Sequence, residues 1–78
     1  MEKLLRYIAE SLVEQPEKLR IEEAEEEGTQ VFTLLLAQED LGRIIGRHGK
    51  TAEALRTLLT AVGRRGDRRV NLRIRELE

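Results

Sequence analysis

The apolar positions at the start of the chain repeat with the period of a helix. They are Leu4, Leu5, Ile8, Leu12 and Val13. This spacing places one apolar stripe along an amphipathic helix. Pro16 follows, and because the residue before a proline is driven out of the helical region, the helix is predicted to end before it.

Three later segments carry the patterns of β-strands. A weakly alternating stretch at residues 19–25 predicts a short strand, and Gly28 suits the turn that follows it. Residues 29–37 are β-branched at first and then strongly apolar, which predicts a central strand. Near the end of the chain, residues 70–75 alternate strictly between apolar and polar, which indicates a third, half-buried strand.

The central strand presents two different faces. Phe32, Leu34 and Leu36 share one face, which we expect to be buried. Val31 and Leu35 lie on the opposite face, away from the predicted helices. These two residues either form a surface for pairing with another chain or contribute nothing beyond the sheet, and the sequence leaves both interpretations open.

Two helices are predicted between the second and third strands. The first is short, begins with Glu39 and Asp40, whose charges suit a first helical turn, and stops at Gly46. The second covers residues 50–62, and Gly63 is predicted to cap it. Its predicted buried stripe consists of Ala52, Leu55, Leu58, Leu59 and Val62. The element order is therefore α-β-β-α-α-β, in a chain of 78 residues that is long enough for one domain.

Charge is distributed unevenly along the chain, although the net charge is only −1. Residues 1–40 hold 4 Lys or Arg and 11 Asp or Glu, whereas residues 41–78 hold 10 and 4. This asymmetry indicates either a polyanionic partner for the basic half or neutralisation within the fold. For Arg69, Arg73 and Arg75 on the last strand, we favour pairing with the glutamates of a neighbouring strand over a second nucleic-acid contact.

The composition argues against several kinds of site and location. The chain has no cysteine, which excludes disulfides and thiolate metal sites, and its one histidine, His48, is too few for a histidine-based metal cluster. We therefore predict no metal and no cofactor. The chain has no signal-peptide pattern after its initial Met-Glu-Lys and no run of ~18 apolar residues, so we expect a cytoplasmic protein without membrane contact.

Catalysis has little support in the sequence. Gly49-Lys50-Thr51 matches the tail of the phosphate-binding motif Gly-x-x-x-x-Gly-Lys-Ser/Thr. The first glycine of that motif would have to be at position 44, which is Ile44. The nucleotide-hydrolase interpretation therefore fails on spacing, and we predict that the protein is not an enzyme.

The most informative segment is the junction of the two predicted helices, Gly46-Arg47-His48-Gly49. A helix N-terminus presents free N–H groups and a positive dipole end, and glycines let a sugar-phosphate chain approach the backbone closely. Arg43, Arg47 and Lys50 supply cations, and no acidic residue occurs from 41 to 52. His48 projects from the loop, where it can stack on a base or contact a phosphate. The alternative is a tight helix-to-helix turn with no ligand.

Ile44-Ile45-Gly46-Arg47-His48-Gly49-Lys50 resembles the I-I-G-x-x-G signature of KH domains. The element order resembles the type II arrangement, and residues 1–76 resemble the KhpA family of stand-alone bacterial KH proteins. The resemblance implies an α+β fold in which residues 1–78 form a single type II KH domain. It also implies a three-stranded sheet with helices packed on one face and a GxxG loop at residues 46–49.

In KH domains the GxxG loop clamps the backbone of about four nucleotides of single-stranded RNA. The RNA-binding residues that the resemblance implies are Gly46, Arg47, His48, Gly49, Lys50, Arg43, Ile44 and Ile45. The glycines would permit close approach, Arg47 and His48 would face phosphates, and one isoleucine would line an apolar floor under the bases. His48 departs from the residue of many relatives, often glutamine, which leaves its contribution open.

The resemblance also implies partners. KhpA proteins are associated with a second RNA-binding protein, KhpB, so the expected role is that of an RNA chaperone or post-transcriptional regulator with a KhpB-like partner. A homodimer and a heterodimer with that partner are both open. The alternative is a protein-pairing module with little RNA binding of its own.

Overall fold

The computed structural model describes residues 1–77. Its main elements are α1 (Glu2–Leu12), β1 (Arg20–Glu26), β2 (Thr29–Leu36), α2 (Gln38–Ile45), α3 (Lys50–Arg65) and β3 (Arg69–Glu76). Short 3₁₀ turns at Pro16–Lys18 and Arg47–Gly49 precede β1 and join α2 to α3. The predicted α-β-β-α-α-β order is confirmed, and the fold is the α+β fold of a type II KH domain.

The sheet is mixed, with β2 at its centre. β2 pairs antiparallel with β1 and parallel with β3, so the strand order is β1-β2-β3. The β1–β2 turn has positive φ at both Glu27 (51°) and Gly28 (79°), the backbone that a two-residue type I′ hairpin requires. The prediction of a turn at Gly28 and of a central second strand is confirmed.

The core lies between one face of the sheet and the helices. Phe32, Leu34 and Leu36 of β2 are at most 1 % exposed, as the alternation predicted. The helices, the segment before β1 and strand β3 bury the following residues with them: Leu5, Ala9, Leu19, Ile44, Leu55, Leu59 and Leu72. The helices therefore pack on one face, and this packing fixes the position of the α2–α3 junction.

The buried stripes of the helices are narrower than predicted. Leu4, Leu12 and Leu58 were expected in the core but are 37 %, 38 % and 39 % exposed. Consecutive helical residues point about 100° apart, so Leu59 can face the sheet only if Leu58 turns away from it. The thin core of a small domain leaves no second layer to cover these side chains.

Gly63 does not cap α3, contrary to the prediction. The helix continues to Arg65, and Gly63 is buried inside it. A Cβ at Gly63 would lie 2.7 Å from Cγ2 of Val70 and 2.9 Å from the carbonyl oxygen of Arg68. The glycine is therefore required for the close approach of α3 to the start of β3, and Gly66 follows the last helical residue instead.

The open face of the sheet offers less apolar surface than its sequence suggested. Val31 is only 3 % exposed, which removes it from the pairing surface considered above, whereas Leu35 is half-buried and its role in pairing stays a prediction. The Arg73 guanidinium and the Glu26 carboxylate form two hydrogen bonds of 3.0 and 3.2 Å. Because Glu26 lies opposite Thr29 and Arg73 opposite Thr33, this pair crosses the sheet over Val31. Arg73 therefore pairs with a glutamate as predicted, but this glutamate belongs to β1 and not to the strand next to β3.

Candidate nucleic-acid interface

The loop at residues 46–49 is built from backbone conformations that most residues avoid. Gly46 has φ 74° and ψ 176°, a region that is open essentially only to glycine. His48 (φ 57°) and Gly49 (φ 73°) are both left-handed. The N–H of Gly46 donates to Gly42 O (2.8 Å) and the N–H of Gly49 donates to Gly46 O (3.1 Å), which closes a tight turn between α2 and α3.

The two glycines of the loop have different surroundings. A Cβ at Gly46 would overlap the side chain of Thr51, so this glycine lets the loop pack against the first turn of α3. A Cβ at Gly49 would meet nothing within 4 Å. Both were predicted to permit close approach of a ligand, and the space for one is beside Gly49.

The cations predicted to surround the loop fall into two groups. Arg47, His48 and Lys50 are exposed, and no ion pair within residues 1–77 includes any of them. Arg43, by contrast, lies 2.8 Å from Glu14 Oε1 and 3.5 Å from Asp40 Oδ1. The side chains of Arg47, His48 and Lys50 therefore remain available at the turn, whereas Arg43 is held by carboxylates of the same chain.

The two isoleucines before the loop point in opposite directions. Ile44 is completely buried in the core, and Ile45 is 43 % exposed. Of these two isoleucines, Ile45 is the one that offers an apolar surface next to the loop. Ile44 contributes by anchoring α2, which carries the loop at its end.

Asp40 has a structural role that the sequence did not reveal. Its side chain is buried (1 % exposed) and accepts hydrogen bonds from the backbone N–H groups of Glu14 (3.0 Å) and Gln15 (3.1 Å). Next to it, a hydrogen bond from Gln15 Nε2 (2.9 Å) lowers the pKa of Glu39, because it favours the ionised carboxylate. These contacts tie the start of α2 to the segment after α1. The only signal in the sequence was an acidic first turn, which does not distinguish a buried acid from an exposed one.

Within residues 1–77, no group of three or more His, Cys, Asp or Glu side chains is placed to hold a metal ion. Within the same residues, no helix has the length and apolar character needed to cross a membrane. The chemistry available at the α2–α3 junction is therefore a cationic turn, free space beside Gly49 and one exposed isoleucine.

Comparison with known proteins identifies the family. A family model described as the KhpA/KhpB KH domain matches residues 2–74. The chain belongs to the KhpA/KhpB KH-domain family. It is 43 % identical over 76 residues to the RNA-binding protein KhpA of Chlamydia pneumoniae, with 97 % of each chain covered.

Further members of the KhpA/KhpB family are similar in sequence to this protein over nearly its whole length. RNA-binding protein KhpA of Treponema pallidum is 41 % identical over 73 residues, which cover 94 % of this chain and 91 % of the relative. RNA-binding protein KhpA of Listeria monocytogenes is 40 % identical over 76 residues, which cover 97 % of this chain and 100 % of the relative. The predicted resemblance is confirmed. Because this KH family is not enzymatic, membership also confirms that the protein is not an enzyme.

Proposed function

We propose that the protein binds single-stranded RNA by seating about four nucleotides of its backbone on the loop at residues 46–49. The observation that carries the proposal is the free space beside Gly49, next to the exposed Arg47 and Lys50, which form no ion pair with the other residues that the structure describes. Phosphates gain from such cations and from the positive end of α3. Membership in the KhpA/KhpB family, whose relatives are named RNA-binding proteins, supports the same function.

The roles we assign within the loop follow from exposure and pairing. Gly49 admits the sugar-phosphate chain, and Arg47, His48 and Lys50 contact phosphates. Ile45 lines the apolar floor under the bases. Arg43 and Ile44, which belonged to the predicted RNA-binding set, support the loop through their contacts with carboxylates and with the core.

The double variant Arg47→Asp/His48→Asp tests this function. It replaces two phosphate-facing groups with carboxylates on an exposed turn, so RNA binding should be lost while the fold remains. Fluorescence anisotropy with a short single-stranded RNA measures the binding, and circular dichroism checks the fold. For the parent, neutralisation of about four phosphates gives a log–log salt slope of about −3.

A matched control separates the effect of changing the loop from the effect of adding negative charge anywhere on the protein. Arg20→Asp/Gln38→Asp makes the same change in charge at exposed positions outside the loop. This control should keep most of the parent affinity. If the loop variant binds RNA as tightly as the control does, the loop is not the RNA site.

A second candidate function is pairing of two copies through α3, and one observation favours it. Leu58 is 39 % exposed, and with Ala54 and Ala61 it lines a shallow, open apolar surface on the outer face of the helix. A second copy of α3 would cover these side chains. Two linked RNA sites would gain affinity over one, which suits an RNA chaperone or post-transcriptional regulator, and a KhpB-like protein is the proposed partner for a mixed pair.

Sedimentation at several concentrations tests the pairing. The parent should shift towards a dimer as concentration rises, and Leu58→Glu should remain a monomer because it would bury a charge at the contact. Ser11→Glu adds the same charge to an exposed position of α1 and should behave like the parent. A parent that stays monomeric at every concentration would exclude this candidate.

A further inference from the structure

An open cavity of about 310 Å³ lies on α3 beyond the loop, and it shares Glu53, Thr57 and Ala61 with the surface of α3 described above for pairing. Its lining consists of Glu53, Arg56, Thr57, Thr60, Ala61 and Arg64. The volume is at the lower end of the range of about 300–1,000 Å³ that small-ligand sites occupy. The lining side chains include a carboxylate, two guanidinium groups and two hydroxyls, so both signs of charge are present.

The cavity and the loop lie along one flank of α3. At 100° per residue, Glu53, Arg56 and Thr60 fall within about 60° of one another around the axis of α3, and the loop at residues 46–49 adjoins the N-terminal end of this helix. This flank faces β3, the edge strand of the sheet, because Arg56 Nε donates a 3.2 Å hydrogen bond to the carbonyl oxygen of Leu72. An RNA strand seated at Gly49 that continues along this flank passes the cavity.

Side chains of the protein already occupy the main-chain groups of β3 at this point. The N–H of Leu72 donates to Asn71 Oδ1 (2.9 Å), and its carbonyl oxygen accepts from Arg56. An edge strand otherwise presents such groups to an arriving partner. A base that enters here therefore meets the guanidinium of Arg56 before it meets the backbone.

Arg56 donates the hydrogen bond to Leu72 from its Nε, and this bond holds the guanidinium in place. The two terminal nitrogens of the guanidinium remain as hydrogen-bond donors for a ligand. Glu53 lines the same cavity with a carboxylate, yet no ion pair within residues 1–77 includes Glu53 or Arg56. The cavity thus offers a pair of donors and a pair of acceptors. Arg64, the third charged residue of the lining, follows Arg56 by eight positions, which is about 12 Å along the helix. A phosphate beside Arg56 would therefore be repelled by the nearer Glu53, so the Arg56 and Glu53 pair favours a neutral base that carries both hydrogen-bond donors and acceptors.

Guanine is the base that matches this pair. Its O6 and N7 are adjacent acceptors, which suit a guanidinium fork, and its N1–H and exocyclic amino group are donors. We propose that Arg56 and Glu53 form a guanine-recognition subsite for RNA bound on the loop. This inference rests on the proposed RNA-binding function and adds a base preference to it.

Base analogues test the subsite in the unaltered protein. The probes are short uridine oligonucleotides with one central guanosine, adenosine, inosine or 7-deazaguanosine, and fluorescence anisotropy measures their affinities. We expect the guanosine probe to bind about five- to tenfold more tightly than the adenosine probe. The 7-deazaguanosine probe should lose affinity because it lacks N7, and the inosine probe because it lacks the amino group that faces Glu53.

Two variants locate the preference on the protein. Arg56→Lys keeps the charge but removes the planar fork, so the ratio of guanosine to adenosine affinities should fall to about one. Arg65→Lys makes the same exchange at an exposed position in the last turn of α3 and should keep the parent ratio. Circular dichroism checks that both variants fold.

The outcomes separate this inference from the function on which it rests. Equal affinities of the parent for guanosine, adenosine and 7-deazaguanosine probes would overturn the guanine subsite, as would an unchanged ratio in a folded Arg56→Lys protein. Loss of binding in Arg47→Asp/His48→Asp together with equal affinities would leave the loop assignment intact. Full binding by that double variant would instead overturn the loop assignment.

Discussion

At the scale of single residues, the loop depends on two glycines for different reasons. Gly46 combines a backbone conformation that needs glycine with contact against Thr51, so its role is internal to the fold. Gly49 is left-handed but borders free space. The same motif therefore contains one glycine that shapes the turn and one that leaves room for a ligand.

This division predicts different effects for two substitutions. Gly46→Ala should lower the free energy of unfolding by about 1–3 kcal/mol, because alanine is strained at this φ and its Cβ overlaps Thr51. Gly49→Asn should lower it by less than about 1 kcal/mol, because asparagine tolerates the left-handed region. Urea denaturation measures both values.

RNA titration of the Gly49→Asn protein completes this test. The new side chain would occupy the space beside the loop, so affinity should fall although the protein stays folded. A Gly49→Asn protein that is strongly destabilised, or one that binds RNA like the parent, would contradict the role assigned to Gly49.

At the scale of secondary-structure elements, local patterns predicted the elements better than their packing. The amphipathic α1, the Gly28 turn and the alternation of β2 depend on neighbouring residues, and the structure confirms all three. The predicted cap at Gly63 and the predicted burial of Leu58 were wrong. Both depend on which side of α3 meets the sheet and on how closely β3 approaches, which a local pattern does not contain.

Two glycines within helices provide a matched test of that packing. Gly63→Ala should destabilise the protein by about 1–3 kcal/mol, because the added methyl overlaps Val70 and the Arg68 carbonyl. Gly42→Ala should stabilise it by about 0.5–1 kcal/mol, because Gly42 lies inside α2 with nothing within 4 Å of an added Cβ. Thermal or urea denaturation gives both changes, and a neutral or stabilising Gly63→Ala would disprove the close approach of α3 to β3.

At the scale of the whole molecule, the fold brings together charges that are distant in the sequence. Glu14 and Arg43 are 29 positions apart and form an ion pair, and Glu26 and Arg73 are 47 apart. The uneven charge of the two halves is thus neutralised in part within the fold. The sequence predicted the loop cations Arg47 and Lys50, but the pairing of Arg43 depends on a contact that only the tertiary structure creates.

The most direct measurement is an NMR titration of the isotope-labelled chain with a short single-stranded RNA at low salt. Amide shifts at residues 45–50 should change most, because the strand is proposed to lie against that backbone. The amides of residues 20–26, in β1, should change little. Shifts concentrated on the sheet, with residues 46–49 unaffected, would show that RNA binds elsewhere and would contradict the proposed site.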